Sequence, residues 1–361
     1  MYRLTWPWNF IMLIIDILGY IIFSPLWLYN KHKKLTKPKK ILIIKNDYIG
    51  DMILATPFIR NLKQNYPKAK LDIACRSFSN AVLENNPHIN KVISFNSPWM
   101  ARHDSMKWSE VWQFIKQNWR KYDLVVDLHT EPRNILIGKL IGKNLVGYGY
   151  RGLGFLLTKK CKTDKYKPIA EQNLDMLKCL GLKIKSKKQE LFLTKQEKAK
   201  AKKLLGKERF VGIHPGTSDE TRQWPIIRFH SLLKELSKQH NLVLLDDDKE
   251  RAKKVKGNLK IKDLSGKLTL REFFAVTDQL VLLIGLESLA VHVAAAVETP
   301  VISIHSCTTR PIVMGPYAKR KIVVHKEVKC QHCGKLFCPK NKGIKKITLQ
   351  DFKNSAPKLF K

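Results

Sequence analysis

Short runs of aliphatic residues alternate with segments of helical periodicity through the first half of the chain. Four such runs predict strands, at residues 41–45, 71–75, 91–95 and 124–129. The helical patterns are an amphipathic stretch that ends near Asn65, a second at residues 108–119 and a third at 171–180. Strands that alternate with helices in this way predict a parallel sheet covered by helices on both faces.

The second half of the chain repeats this alternation after a polar, Lys-rich segment at residues 183–198, which we take as a boundary. Strands are predicted at residues 210–216, 242–246, 262–266, 280–285 and 300–305, and helices at 226–239, 250–255, 270–277 and 288–297. The sequence therefore predicts an α/β protein with two Rossmann-like domains, residues 39–185 and 195–361, that face a cleft. In such sheets, ligands bind beyond the carboxyl ends of the strands.

An apolar segment precedes both halves. Residues 6–29 carry Trp and Tyr near their ends and are followed by a Lys-rich stretch at 31–40. The segment is long enough to cross a bilayer, which needs ~20 residues, and its aromatic and basic flanks suit a membrane interface. Because Asp16 lies near its middle and a proline near each end, a helix lying in the interface is an alternative, and a buried core helix is a third. We predict that residues 1–38 attach the protein to a membrane, with the remaining chain on the cytoplasmic side.

The net charge of the chain indicates what kind of molecule it binds. The chain has 67 Lys and Arg residues against 30 Asp and Glu residues, which gives a formal net charge of +37. Such an excess indicates a polyanionic partner: nucleic acid, anionic lipid or a phosphorylated substrate. We expect no nucleic-acid partner, because the sequence has neither an RNA-recognition signature nor a zinc-finger His pair.

The cysteines predict neither disulfides nor a metal site. They are seven, an odd number, and four are scattered along the chain, which is typical of a reducing compartment. Cys330, Cys333 and Cys338 lie close together near His325 and His332, but a structural zinc site needs four ligands. We therefore favour reduced, packed thiols at these positions and predict no metal.

The segment after the first predicted strand carries a candidate catalytic residue. The strand stops at Asn46 and Asp47, and the chain turns through Gly50 into a helix that opens with Asp51. Asp is a preferred N-cap residue, so Asp51 could serve only to begin the helix. The alternative is that its carboxylate faces a substrate, with Lys45 beside it.

A candidate anion site lies at residues 214–225, between a predicted strand and a predicted helix. The backbone N–H groups of such a loop and the dipole of the helix bind anions. The hydroxyl groups of Thr217 and Ser218 add donors, and Arg222 can neutralise a phosphate. The competing interpretation is a turn and helix cap, with Arg222 solvated and Trp224 in the core.

Residues 285–296 form another strand, tight turn and helix. Glu287 and Ser288 stand at the predicted start of this helix, where a carboxylate complements the dipole, and His292 follows one turn later. A lone His in an apolar helix is usually a satisfied core residue, so packing is the alternative to a binding role.

Taken in order, these motifs resemble glycosyltransferase family 9, the bacterial lipopolysaccharide heptosyltransferases, over nearly all of the chain from Lys39. The matching segments are Gly50-Asp51, Tyr66-Pro67, residues 214–216, Arg222 before Trp224-Pro225, Ser265-Gly266, residues 285–292, residues 315–317 and the cysteines at 330–338. The resemblance implies the GT-B arrangement of two Rossmann-like domains, with an inverting transfer that needs no metal and no cofactor. The chain departs from the family at Glu287 and Leu289, where the family usually has Asp and Gly.

The resemblance also implies roles. Asp51 would act as general base on the acceptor hydroxyl, and Lys45 would orient it or contact an anionic acceptor. The donor-binding residues that it implies are Thr217, Ser218, Arg222, Glu287, Ser288 and His292. The expected partners are a nucleotide-sugar donor such as ADP-heptose, a lipid-linked phosphorylated saccharide of the lipopolysaccharide core, and the inner surface of the bacterial cytoplasmic membrane. Two alternatives stay open: another donor such as a UDP-hexose, or an inactive anion-binding protein at the membrane surface.

Overall fold

The computed structural model of the chain describes residues 8–25, 28, 37–99, 105–329 and 343–359. The predicted thiol cluster at 330–338 lies outside these residues. The chain divides into two compact units, which we call the N-terminal unit (residues 1–164 and 170–187) and the C-terminal unit (residues 165–169 and 188–361).

In the described part of the N-terminal unit, six parallel strands form one sheet in the order β3-β2-β1-β4-β5-β6. The strands are β1 (Lys40–Lys45), β2 (Lys70–Cys75), β3 (Lys91–Ser94), β4 (Leu124–Asp127), β5 (Leu145–Gly147) and β6 (Lys159–Lys160). The helices are α1 (Trp8–Ile22), α2 (Ile49–Ile53), α3 (Thr56–Asn65), α4 (Asn80–Leu83), α5 (Trp108–Asn118), α6 (Pro132–Ile141) and α7 (Ile169–Cys179), with 3₁₀ turns at Ser77–Ser79 and Gly154–Leu156. The predicted parallel sheet is confirmed.

The C-terminal unit has the same topology in its described residues, with the strand order β12-β11-β10-β7-β8-β9. The strands are β7 (Phe210–His214), β8 (Asn241–Leu244), β9 (Lys262–Asp263), β10 (Leu282–Leu286), β11 (Val301–Ile304) and β12 (Lys321–Val324). The helices are α8 (Lys195–Leu205), α9 (Ile226–Leu236), α10 (Lys249–Lys256), α11 (Leu270–Asp278), α12 (Leu289–Ala296), α13 (Pro311–Met314) and α14 (Leu349–Ser355), with 3₁₀ turns at Glu220–Arg222, Ile344–Lys346 and Pro357–Leu359. Two Rossmann-like domains are therefore confirmed.

Continuous apolar runs form the central strands because both faces of each sheet are covered. All side chains from Ile41 to Ile44 in β1 are buried, and Ile43 lies in register between Ile73 of β2 and Val126 of β4. A strand buried on both faces favours β-branched residues at every position, not at alternate ones. This is why the strands of longest apolar run were predictable from sequence.

The strand order places two pairs of loops at equivalent points of the two sheets. From β1 the chain winds outward through β2 and β3, and from β4 it winds in the opposite direction. The loops after β1 and β4 therefore meet at a topological switch point, where open α/β sheets bind ligands. In the C-terminal unit the same rule selects the loops after β7 and β10, which together with the first turn of α12 hold the predicted donor-binding residues.

Helix α1 packs on the N-terminal unit through the polar residue that the apolar segment contains. The buried carboxylate of Asp16 accepts a hydrogen bond of 2.7 Å from the backbone N–H of Leu153, a residue in the left-handed region with φ of 57°. The ring of Phe155 stacks on Phe23 and fills the space beside Gly19, where a Cβ would clash with it. Asp16 thus attaches α1 to the rest of the N-terminal unit.

The other face of α1 is apolar and exposed. Ile17, Ile21 and Ile22 are 51%, 65% and 69% exposed, so α1 is not the buried core helix that was one of the alternatives. Among the helices in the described ranges, none has both the length and the hydropathy needed to cross a membrane.

The expectation that the scattered cysteines are unpaired is wrong at one pair. Cys161, directly after β6, forms a disulfide with Cys179 at the end of α7. Cys75 is a free, buried thiol. The spacing of 18 residues in sequence gave no signal of this pair, because the sheet and α7 bring the two cysteines together.

Candidate functional site

Asp51 lies in the first turn of α2, directly after the loop that follows β1. The helix begins at Ile49, two residues earlier than predicted, and its N-cap is Tyr48, whose side chain makes no capping hydrogen bond. The interpretation of Asp51 as the N-cap is therefore wrong. A carboxylate in the first turn is still favoured by the helix dipole, and Asp51 is half-buried at the switch point of the sheet.

Lys45 is buried at the end of β1 and is held as an ammonium ion by carboxylates. Its Nζ lies 3.1 Å from the Oδ2 of Asp47. Burial lowers the pKa of Lys45, but the charges of Asp47, Asp51 and Asp127 outweigh this effect and raise it above its ordinary value. The structure thus brings together the two residues predicted as catalytic, because the charge of Asp51 acts on Lys45.

Two residues that sequence analysis missed complete this group, Asp127 at the end of β4 and His129 two residues later. The Nδ1 of His129 lies 3.3 Å from the Oδ2 of Asp47, and its backbone N–H donates to Asp127 over 3.1 Å. Burial raises the pKa of Asp127 to about 6, against the opposing charges of His129 and Lys45. Both residues were visible in the sequence, because the fourth predicted strand ends in Asp-Leu-His. Their proximity to Asp47 was not, because it results from the pairing of β4 with β1.

In the C-terminal unit, Arg222 and Glu287 form an ion pair between the loops after β7 and β10. The NH1 of Arg222 lies 3.5 Å from the Oε1 of Glu287, and its Nε lies 3.1 Å from the Oδ2 of Asp219. The competing interpretation, in which Arg222 is solvated, is therefore wrong. The same interpretation is right about Trp224, which is fully buried and donates its indole N–H to the carbonyl of Ile347 over 2.9 Å.

Glu287 is buried, and both of its oxygens are engaged. Ser306 donates to its Oε2 over 3.2 Å, Thr309 donates to its Oε1 over 2.5 Å, and the Nδ1 of His305 lies 3.3 Å from Oε2. Burial favours the neutral acid, but His305, Arg222 and Thr309 together lower the pKa of Glu287 to about 2. This carboxylate is thus an ionised anchor for its neighbours. Its partners His305, Ser306 and Thr309 follow β11, the strand beside β10, and were not predicted from sequence.

His292 and Ser288 lie on α12, next to this anchor. Burial, with the charges of His305 and Arg222, lowers the pKa of His292 to about 4, so its imidazole is neutral at pH 7. Ser288 is the N-cap of α12, yet its side chain makes no capping hydrogen bond. Within the described residues, neither the Oγ of Ser288 nor the Nδ1 of His292 has a hydrogen-bond partner.

Thr217 and Ser218 lie in the loop after β7, away from the start of the next helix. Thr217 accepts a hydrogen bond of 3.3 Å from the backbone N–H of Asp219, and Ser218 is exposed. Helix α9 begins only at Ile226, so its dipole does not point at these hydroxyls. The predicted anion site therefore depends on side chains and loop N–H groups.

Gly216 allows the same loop to approach an ion pair between Asp246, in the loop after β8, and Arg251 of α10. The guanidinium of Arg251 donates twice to the carboxylate of Asp246, over 2.8 and 2.6 Å. A Cβ on Gly216 would lie 2.7 Å from both of these side chains. A larger residue at this position would have to displace this ion pair. As for metals, no cluster of three or more His, Cys, Asp or Glu side chains suited to a metal ion occurs in the ranges that the structure covers.

Comparison with known proteins identifies a matching family. Residues 109–343, well over half of the chain, match the profile of glycosyltransferase family 9 (heptosyltransferase). The chain is 30% identical to lipopolysaccharide heptosyltransferase 3 of Escherichia coli strain K12 over 281 residues, which are 72% of this chain and 80% of that protein.

Solved structures agree on the fold. A glycosyl transferase of family 9 from Veillonella parvula DSM 2008 superposes with a TM-score of 0.76 at 21% identity, covering 91% of this chain and 98% of that one. The E. coli ADP-heptose lipopolysaccharide heptosyltransferase II superposes with a TM-score of 0.71 at 19% identity, covering 89% and 98%. The fold is therefore the GT-B type that these proteins share.

Proposed function

Since this chain belongs to glycosyltransferase family 9, the heptosyltransferases, and is a glycosyltransferase, we propose that it transfers a heptose from ADP-heptose to the lipopolysaccharide core. The names of its relatives support this choice of donor and acceptor. The observation that carries the proposal is the placement of Lys45 at the end of β1 and Asp51 in the first turn of α2, at the switch point of the N-terminal sheet, where the charge of Asp51 raises the pKa of Lys45. Family membership also sets aside the inactive alternative.

The reaction that we propose is a single displacement with inversion. The acceptor hydroxyl attacks the anomeric carbon of the donor while Asp51 takes its proton. The bond from that carbon to the diphosphate breaks as the new glycosidic bond forms, and the nucleoside diphosphate leaves. One base in the correct position contributes about 10²–10⁴-fold to such a step. Lys45 keeps positive charge next to the base and so favours its ionised form.

The C-terminal unit would bind the leaving diphosphate without a metal. Arg222, fixed by Glu287, would contact the phosphate oxygens through the guanidinium edge that Glu287 does not occupy. Ser218, Thr217 and the unpartnered hydroxyl of Ser288 would add neutral donors. His292, neutral at pH 7, would act as a hydrogen-bonding group and not as a charge.

A direct test measures transfer with the purified full chain and a delipidated core acceptor. ADP-heptose should support transfer and a UDP-hexose should not. Leu289 stands where the family usually has Gly, so a different donor such as a UDP-hexose is the alternative to test. Faster transfer from the UDP-hexose would replace ADP-heptose in this proposal. Analysing the anomeric configuration of the product, with and without a chelator, tests inversion and metal independence.

We also propose that α1 lies on the inner surface of the cytoplasmic membrane. Its apolar outer face is exposed, and the Lys-rich stretch at residues 31–40 would attract anionic lipid. Its attachment to the N-terminal unit through Asp16 fits a helix that lies on the surface. This location would bring the enzyme to a lipid-linked acceptor.

Vesicle binding tests the attachment. The full chain should remain on anionic vesicles in high salt, because apolar contacts are not screened. Replacing Ile17 and Ile21 by Gln should make binding sensitive to salt. The matched control is Ile227→Gln, which removes an isoleucine that is 68% exposed in the C-terminal unit. Equal retention of the double variant and the control would refute the attachment.

A further inference from the structure

Arg76 is a buried cation at the carboxyl end of β2 that lies between two aromatic side chains. It is 8% exposed, and the carbon at the centre of its guanidinium lies 4.4 Å from the ring centre of Phe78 and 5.6 Å from that of Tyr48. Both rings reach the surface, with Phe78 38% and Tyr48 60% exposed. These three residues, which we call the Arg76 site, lie beside α2, because Tyr48 is the N-cap of the helix that carries Asp51.

The guanidinium of Arg76 has no anionic partner in the part of the chain that the structure describes. No hydrogen bond or ion pair to its side chain is found there, and its Nε is buried without an acceptor. Other cations of low exposure differ: the buried Lys45 lies against Asp47, and the partly buried Arg222 and Arg251 lie against Glu287 and Asp246. A buried charge without a partner is destabilising, and at a ligand-binding edge it indicates that a ligand supplies the partner.

We propose that the Arg76 site binds a phosphate group carried by the acceptor saccharide, an inference that rests on the proposed glycosyl transfer. The planar guanidinium matches two oxygens of a phosphate, which a lysine cannot do in the same way. The exposed rings of Tyr48 and Phe78 give flat apolar surfaces against which the sugar that carries the phosphate can pack. With the phosphate held beside α2, the acceptor is oriented by a group separate from the base, so Arg76 is a specificity-determining residue.

The test compares two probes on the full chain without donor. One is delipidated lipopolysaccharide core oligosaccharide with its phosphates, and the other is the same material after phosphatase treatment. The unmodified chain should bind the phosphorylated probe at least about tenfold more tightly, the share of one charge-assisted contact. Arg76→Gln should abolish this preference while leaving affinity for the treated probe unchanged. Arg76→Lys, which keeps the positive charge but not the planar pair of N–H donors, should retain part of the preference for the phosphorylated probe.

Lys91→Gln is the matched control, because it removes one exposed cation at the amino end of β3 in the same sheet. It should preserve the preference for phosphate. Anionic vesicles without saccharide should bind the Arg76→Gln variant as well as the unmodified chain, which separates this site from lipid head groups. A phosphate preference that survives in Arg76→Gln would overturn the proposal.

Failure of the proposed transfer and failure of the Arg76 site would give different results. If the chain transferred no sugar but Arg76→Gln still lost its preference for the phosphorylated probe, the proposed transfer would fail and the Arg76 site would stand. If transfer occurred and the unmodified chain bound both probes equally, the Arg76 site would be wrong and the transfer would stand.

Discussion

At the carboxyl end of the N-terminal sheet, one buried ammonium group, Lys45, is influenced by the carboxylates of Asp47, Asp51 and Asp127. At the same end of the C-terminal sheet, one buried carboxylate, Glu287, collects a guanidinium, an imidazole and two hydroxyls. The sheets share one strand order, so topology does not explain this difference. The first arrangement has carboxylates in excess and suits the removal of a proton. The second fixes a cation and suits the binding of a diphosphate.

We therefore propose that residues of the N-terminal unit carry out the proton transfer and that residues of the C-terminal unit bind the donor. Each unit can be changed separately, and the two assignments predict effects on different quantities. Turnover should respond to residues around Lys45, whereas the dissociation constant of the donor should respond to residues around Glu287.

The largest expected effect is on turnover in Asp51→Asn. The amide cannot accept the proton of the acceptor hydroxyl, so turnover should fall by about 10²–10⁴-fold. Melting temperature and donor affinity should stay near those of the unmodified chain, since Asp51 is not the N-cap of α2. Steady-state kinetics and calorimetric titration with ADP measure the two quantities.

The matched control for this change is Asp123→Asn, the same substitution at the amino end of β4 in the same sheet, which should leave turnover nearly unchanged. Normal transfer by Asp51→Asn would refute its assignment as the base and with it the division of roles between the units.

The next effect concerns the pH dependence of stability in the C-terminal unit. Burial raises the pKa of Glu287, but His305 and Arg222 outweigh it and lower the pKa from 4.5 to about 2. A depressed pKa means that the carboxylate stabilises the folded state fully above pH 4.5, and that this contribution is lost as pH falls toward 2. The difference corresponds to about 3 kcal/mol.

Denaturant titrations of the unmodified chain and Glu287→Gln check this contribution. The difference in unfolding free energy between the two proteins should be largest at pH 6 and should shrink by a large part of about 3 kcal/mol when the pH is lowered to 3. A difference that does not change with pH would mean that Glu287 is not held as an ionised anchor.

A third effect is on donor affinity in Arg222→Gln. Loss of a charge-assisted contact to the diphosphate should weaken binding of ADP by about 1.5–3 kcal/mol, or roughly 10–100-fold. Arg209→Gln, an exposed change just before β7, is the control and should leave ADP affinity unaltered. Unchanged affinity in Arg222→Gln would move the diphosphate site elsewhere in the chain.

Strands with a long apolar run, and the loops directly after them, were predictable from sequence. Very short strands, and residues that meet only because their strands are neighbours in a sheet, were not. The strands β5 and β6 have three and two residues, too few for a periodic pattern. Asp51, Arg222 and Glu287 were found because they lie in local motifs. His129 and His305 were not, because they join their partners only where β4 pairs with β1 and β11 with β10. The capping role of Asp51 failed for a local reason: the helix starts at Ile49.

The smallest effect has the opposite sign and tests how Arg222 meets the donor. Asp219 pairs with the Nε of Arg222 through its Oδ2, while its Oδ1 accepts hydrogen bonds from the backbone and hydroxyl of Thr221. Asp219→Asn keeps an oxygen for Thr221, so the loop should persist, but it removes a carboxylate that competes with the diphosphate for Arg222. A partly exposed ion pair of this kind is worth about 0.2–1 kcal/mol. Binding of ADP should therefore tighten by up to about fivefold, and should tighten no further when Arg222 is already Gln. Weaker binding in Asp219→Asn would mean that Asp219 holds Arg222 in place for the donor and does not compete with it.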